Sequence, residues 1–285
     1  MQAIHTAAGS IALGAGDAFL CAGIESMTRI PMPGFNPMLN PKLVDAGHAA
    51  YMGMGETAEN LAKKYDIARD KQDAFAAESH KRAAAAQAAG RLSDEIVSIE
   101  TRNGMVDKDG CIRPDTTMEI LGDLKPAFDQ SGSVTAGTSS PLTDGAAAVL
   151  LTSEAFAEKN GLKPLARIKS IAVAGCDPEI MGIGPVNATN KALERAGLTL
   201  DDIDVIELNE AFAAQSLAVV QDLGLDLSKT NIDGGAIALG HPLGATGARI
   251  TGKAAQIMQR EGKKYALATQ CIGGGQGIAT VLEAM

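Results

Sequence analysis

Apolar positions set a helical stripe from the first residue: Met1, Ile4, Ala8 and Ile11 share one face and predict a helix over 1–14. Gly14 to Asp17 read as a turn, and the small apolar run Ala18 to Gly23 reads as a buried strand. Pro31, Pro33, Pro37 and Pro41 then break every period, so the chain continues there as irregular loop. Helical spacing returns over 56–64 and more strongly over 70–89, where Gly90 offers a C-cap. Residues 93–123 mix charges with Gly-rich turns. A second small apolar run, 145–152, predicts a strand that returns to a sheet, so 26 to about 140 is a long excursion between strands.

After a linker at 160–164 the periods alternate. Strands are expected near 165–174, 204–208, 232–237, 264–270 and 277–282, and helices over 186–196, 209–223 and 244–260. Such alternation implies layered α/β architecture. The order helix, Gly turn, small-residue strand with a cysteine occurs at 1–23 and again at 244–271. A tandem duplication explains the echo, with the second copy whole and the first lacking its opening strands and helices. No Ser, Thr, Asp or Asn stands ahead of the first helix to cap it, which agrees with a missing upstream segment. The expected organisation is an amino-terminal half from 1–25 and 141–160, a loop domain at 26–140, and a carboxy-terminal half at 161–285.

The 285 residues suffice for such a pair of halves, and 46% hydrophobic content supplies a core. A net charge of −9 argues against a nucleic-acid partner, which needs a basic face. No stretch approaches a membrane span. Cys21, Cys111, Cys176 and Cys271 form no C-x-x-C pair, as expected of a reduced, cytoplasmic protein. The first 28 residues hold no Lys or Arg, so no basic leader is visible.

Three segments concentrate chemistry: Asn209-Glu210-Ala211-Phe212, the Gly-rich stretch 234–247 around His241, and Cys271 with Gly273, Gly274, Gly275 and Gly277. Each lies near a predicted element end, where α/β sheets place ligands. The glycines match neither G-x-G-x-x-G nor G-K-[ST], which argues against a nucleotide loop. His241 alone also admits the reading of a structural histidine in a tight turn, and Cys271 alone reads more often as a small buried hydrophobe than as a reactive thiol. Together they suit thiol–imidazole chemistry, with bare glycine N–H groups as oxyanion donors. His5, His48 and His80 lack companions, and no Cys/His/carboxylate cluster has zinc spacing, so no metal is expected.

The three segments resemble the N-E-A-F, G-H-P-x-G and C-x-G-G-G segments of the thiolase family, in that order. Residues 23–27, 54–60 and 135–140 are similar to further thiolase segments, so the likeness spans the whole chain. It implies the thiolase fold, two similar layered α/β halves with the amino-terminal one incomplete. It implies Claisen chemistry on acyl-CoA and CoA, with CoA as a substrate and no cofactor. By resemblance, His241 activates the nucleophilic thiol, Asn209 holds an oxyanion-hole water, Cys271 is the acid/base thiol and the Gly273 N–H faces the acyl oxyanion. Ser140, Ala136, Gly137, Phe128 and Met54 match CoA-channel positions, and Phe212 walls the acyl pocket. A homo-oligomer, dimer or tetramer, is expected by analogy.

One family feature is missing. The nucleophilic cysteine belongs to a C-x-S-G segment that opens the helix read here as 1–14, and Met1-Gln2-Ala3-Ile4 resemble the residues directly after that segment. The chain alone is therefore expected to be inactive. Gly53 before Met54, and Thr138-Ser139-Ser140, resemble the degradative 3-ketoacyl type more than the short-chain biosynthetic one. The competing readings are a non-catalytic acyl-CoA-binding or partner-assembled protein, and a ketoacyl synthase, against which Asn209-Glu210-Ala211-Phe212 and Cys271 speak.

Overall fold

The computed structural model describes all 285 residues. Helix α1 (Gln2–Ala12) leads through the Gly14 turn into β1 (Ala18–Ser26). The excursion holds α2 (Pro41–Asp45), α3 (Met54–Lys64), α4 (Arg69–Ala88), the hairpin β2 (Ile99–Thr101) and β3 (Gly104–Val106), and α5 (Met118–Gly122). Then come β4 (Asp144–Thr152), α6 (Glu154–Lys159), β5 (Arg167–Gly175) and α7 (Gly184–Ala196). The chain ends with β6 (Val205–Leu208), α8 (Ala213–Leu223), α9 (Ala236–Leu239), α10 (Thr246–Arg260), β7 (Tyr265–Ile272) and β8 (Gln276–Glu283). No helix is long and apolar enough to cross a membrane.

Strand β1 pairs antiparallel with β4, from Ala18 opposite Thr152 to Ser26 opposite Asp144. The excursion thus leaves and rejoins the same two-stranded sheet. The larger sheet runs β5-β8-β7-β6, with β6 and β7 parallel and the other pairs antiparallel. Its side chains alternate as a strand period requires. Leu267, Ala279 and Val281 join Ala188, Ala192 and Val219 of α7 and α8. Ala268, Ile278 and Leu282 join Ile250, Ala254 and Met258 of α10.

Helices α1 and α10 lie between the two sheets. Ile4 and Ala7 pack on Cys21, Phe19 and Val149, while His5, from the same helix, bonds Thr280 of β8 at 2.8 Å. This is the expected α/β layering.

Three expectations fail. The strand expected at 18–23 forms but is covered on one face only, with Leu20 on the open side. Residues 232–237 form no strand; a single bridge joins Ile206 to Thr230, and the chain then coils into α9. The Gly234-Gly235 pair has no side chains to fill a sheet face and threads instead between α4 and Glu210. The helix expected from 209 starts only at Ala213, because Phe212 is extended (φ −145°, ψ 146°) and bridges Ser139. The 70–89 helix ends at Ala88, with Gly90 at φ 72° closing it as expected.

Candidate active site

Strands β6 and β7 run parallel, so their carboxyl ends open on one edge, and Asn209 follows one end while Cys271 lies near the other. The Asn209 N–H donates to the Thr269 carbonyl at 3.0 Å, which ties the two ends together. Asn209 is 1% exposed, and its Nδ2 lies 3.3 Å from His241 Nε2. Its Oδ1 is buried without a partner.

His241 is held on three sides. Its backbone N–H donates to Thr143 Oγ1 at 3.1 Å, and its Nδ1 lies 2.6 Å from Thr246 Oγ1. The Thr246 hydroxyl also lies 3.0 Å from the Pro242 carbonyl, which can only accept; with the hydroxyl proton there, Nδ1 is the donor to Thr246 Oγ1 and carries the imidazole proton. Nε2 then keeps its lone pair, which accepts from the Asn209 amide and can serve as a base. Burial first, and the Arg249 cation second, push the imidazole pKa down to about 4, so the ring is neutral at pH 7.

The β1 and β4 ends clamp the turn that aims this ring. The Gly244 N–H donates to Glu25 Oε2 at 3.1 Å. The backbones approach so closely that a Cβ on Gly23 would lie 1.8 Å from the Gly244 carbonyl oxygen. That contact gives a physical reason for the residue 23–27 segment noted in the sequence.

Cys271 meets a different set of residues. It packs with Met54 against Phe212, Ala58, Val134 and Ala214. Burial pushes the thiol up to about 12, so it stands as S–H at neutral pH. The turn after it puts Gly274 and Gly275 at φ 84° and 94°, and leaves Gly273 exposed with Met54 as its nearest neighbour. Phe128 meets Phe212 edge to face, with centroids 5.8 Å apart. The Ser140 N–H donates to the Ala211 carbonyl at 2.9 Å, and Ala136 and Gly137 lie in the short turn just before it. Met54, Phe128, Ser140 and Phe212 therefore cluster on the Cys271 side, with Ala136 and Gly137 close along the chain.

The pairing of His241 with Cys271 is less direct than the sequence suggested. They share the edge formed by β6 and β7 but make no hydrogen bond; the His241 ring has Asn209 and Thr246 as partners. A cavity of about 280 Å³, lined by Met1, Ile4, Cys21, Gln270 and Ile272, borders β7. Gln270 and Ile272 flank Cys271 and point to the opposite face, so this cavity is not the space in front of the thiol. Sequence reasoning missed Thr246 and Thr143. Thr246 sits five residues past His241, at the start of the next helix, which was the available signal.

Known proteins resemble this chain in sequence and fold. Residues 1–155 match the model of the thiolase N-terminal domain, and residues 162–284 that of the thiolase C-terminal domain. A 3-ketoacyl-CoA thiolase of Marinobacter nauticus is 55% identical over 99% of this chain and 74% of its own length. An acetyl-CoA acetyltransferase of Chromobacterium violaceum is 49% identical over 99% of this chain and 76% of its own. The crystal structure of human mitochondrial 3-ketoacyl-CoA thiolase in complex with CoA superposes with a TM-score of 0.91 at 44% identity, covering 100% of this chain and 75% of that one. With both halves matched and half of all positions shared with such relatives, the chain belongs to the thiolase family and is an enzyme of the thiolase type.

Proposed function

We propose that the chain carries the acid–base and oxyanion groups for reversible thiolytic cleavage of a 3-ketoacyl-CoA by CoA. The observation that carries this reading is the Asn209–His241–Thr246 relay, which leaves Nε2 unprotonated beside the edge that also holds the Cys271 thiol. A neutral imidazole can take the proton of an attacking thiol, and the acyl group then passes to sulfur as the C2–C3 bond breaks. The electron pair goes to the acetyl-CoA enolate, and the Cys271 S–H protonates its carbon. A water on Asn209 with His241, and the Gly273 N–H, stabilise the two oxyanions. CoA, as substrate, resolves the acyl-enzyme; no cofactor enters.

The covalent step needs a second thiol. Cys21 and Cys176 donate to the Ala3 and Met181 carbonyls, Cys111 stands at the Thr143 hydroxyl, and none of the three bonds the His241 ring. Residues 1–285 contain no C-x-S-G segment, and in our reading the nucleophile is the thiol of such a segment, so that turnover without it is negligible. Ser140, Ala136, Gly137, Phe128 and Met54 line the CoA channel, and Phe212 walls the acyl pocket. The reading extends to a cytoplasmic homo-oligomer, dimer or tetramer, serving fatty acid β-oxidation. Relatives named 3-ketoacyl-CoA thiolase support the degradative direction.

The test is thiolysis of acetoacetyl-CoA and of a longer 3-ketoacyl-CoA, by residues 1–285 and by a chain extended with a C-x-S-G segment. The extended chain should cleave both, and the short one neither. CoA binding without turnover by both chains would favour a binding protein instead, and cleavage of acetoacetyl-CoA alone would defeat the degradative assignment.

A further inference from the structure

The loop after β6 holds a carboxylate that this chemistry leaves unused. Glu210 is 2% exposed, and its Oε2 accepts from the Ser79 hydroxyl at 2.6 Å and the Ile237 N–H at 3.3 Å. Its Oε1 accepts from the Asn231 amide at 2.7 Å. Each donor belongs to a different part of the fold. Ser79 sits on α4 of the excursion, and its Oγ also accepts the Gly235 N–H at 3.1 Å. Asn231 grips both backbone groups of Leu208, accepting from its N–H at 2.9 Å and donating to its carbonyl at 2.8 Å. That grip fixes the end of β6 one residue before Asn209. Ile237 lies in α9, whose last residue is two positions before His241. The chain crosses the carboxylate at Gly235, where a Cβ would lie 2.1 Å from Glu210 Cδ.

Asn209 and His241 thus both hang from one buried group, Asn209 as its chain neighbour and His241 through α9. Their own contact is 3.3 Å, long for a hydrogen bond and sensitive to a shift of a few tenths of an ångström. We propose that Glu210 is a positioning residue for the thiolase centre: its carboxylate sets the approach of Asn209 to His241, and its bond to Ser79 makes that approach depend on the seating of α4. The proposal rests on Asn209 and His241 being the oxyanion pair. A polar substitute cannot reproduce it fully, because a Gln at 210 would turn an N–H₂ group toward a donor. A cavity of about 310 Å³ lined by Phe75, Arg82 and Leu217 reaches Ser79 and Glu210. Water entering there can solvate donors left by a shortened side chain.

The test uses imidazole ¹⁵N NMR on residues 1–285, comparing the parent with Glu210→Gln, Glu210→Ala, Ser79→Ala and Ser79→Thr, with thermal melts in parallel. In Glu210→Ala the His241 Nε2 should lose its acceptor signature, and the ring's titration midpoint should rise by on the order of one unit as water reaches it. Ser79→Ala should shift it the same way by less, and Ser79→Thr should restore the parent spectrum. In the C-x-S-G-extended chain, Glu210→Ala should lower kcat about tenfold with KM little changed. Unchanged His241 resonances in folded Glu210→Ala and Ser79→Ala proteins would overturn the proposal and leave Glu210 as structural glue. If Glu210→Ala does not fold, Ser79→Ala, which removes one hydroxyl, decides by the same readout. A parent extended chain without thiolysis would fault the function reading and leave the NMR comparison intact.

Discussion

The two sheets use similar side chains in opposite surroundings. In the four-stranded sheet Leu267 and Ile278 are buried on opposite faces, one against α7 and α8, the other against α10. In the β1–β4 pair only the face toward α1 is covered, and on the other Leu20 and Ile24 are 72% and 79% exposed. The same period of two runs through both, so the pattern alone does not decide burial; the layers above and below do. The contrast explains where chemistry is anchored. Electrostatic stabilisation needs fixed donors in a dry setting; Asn209 and Cys271 stand at the ends of the covered strands, and His241 meets Asn209 there from the turn after α9. A two-stranded ribbon with one bare face is marginal by itself, and β1–β4 contributes from outside, gripping the turn at 240–245 through Glu25, Gly23 and Thr143.

Substitutions should separate the covered edge from the bare face. The largest effect is at the covered edge: His241→Ala in the C-x-S-G-extended chain should lower the rate of acyl-enzyme formation, read by rapid-quench mass spectrometry, by about 10²–10⁴. Next, Leu267→Ala should destabilise by about 2–5 kcal/mol in urea melts, whereas Leu20→Ala on the bare face should stay within about 0.5 kcal/mol. Equal costs would show that the bare face is covered in solution. Third, Thr246→Val should slow acylation about tenfold by stranding Nδ1–H, and Thr246→Ser should recover most of it.

A more diffuse effect is with pH. Burial holds the His5 and His241 pKa values at about 4, below the ordinary 6.5. The unfolded chain binds these protons first, so this contribution is intact above pH 6.5 and is lost as pH falls toward 4. Urea midpoints measured from pH 7 to 4 should fall, and His5→Gln should flatten the fall. A midpoint that stays level would contradict the burial of both rings.

Much of this was legible in the sequence, for identifiable reasons. The small apolar run at 145–152, the strand at 264–270 and the Ala-rich helix at 70–89 with Gly90 behind it were expected, and all three formed. The segments around 209, 241 and 271 marked strand ends and turns, and the structure gathers them on one edge. What escaped was contact made by ordinary residues far apart in the chain. Nothing local marks Thr143 as the partner of His241, or Ser79 as the partner of Glu210. Residues 232–237 misled because Ile232, Ala236 and Ile237 resemble a strand. The glycine pair's passage between α4 and Glu210, invisible to periodicity, set the outcome. The expected direct meeting of His241 and Cys271 also simplified a three-residue relay, since Asn209 stands between the histidine and the strand that carries the thiol.

The decisive measurement is the intact mass of the Cys271→Ser variant, in the C-x-S-G-extended chain, after incubation with acetyl-CoA. A thiol that only moves protons at carbon is not needed to load the enzyme, so a stable acetyl adduct should accumulate while condensation and thiolysis stop. A variant that stays unmodified, or one that turns over like its parent, would contradict the assignment of Cys271 and with it the account of the edge formed by β6 and β7.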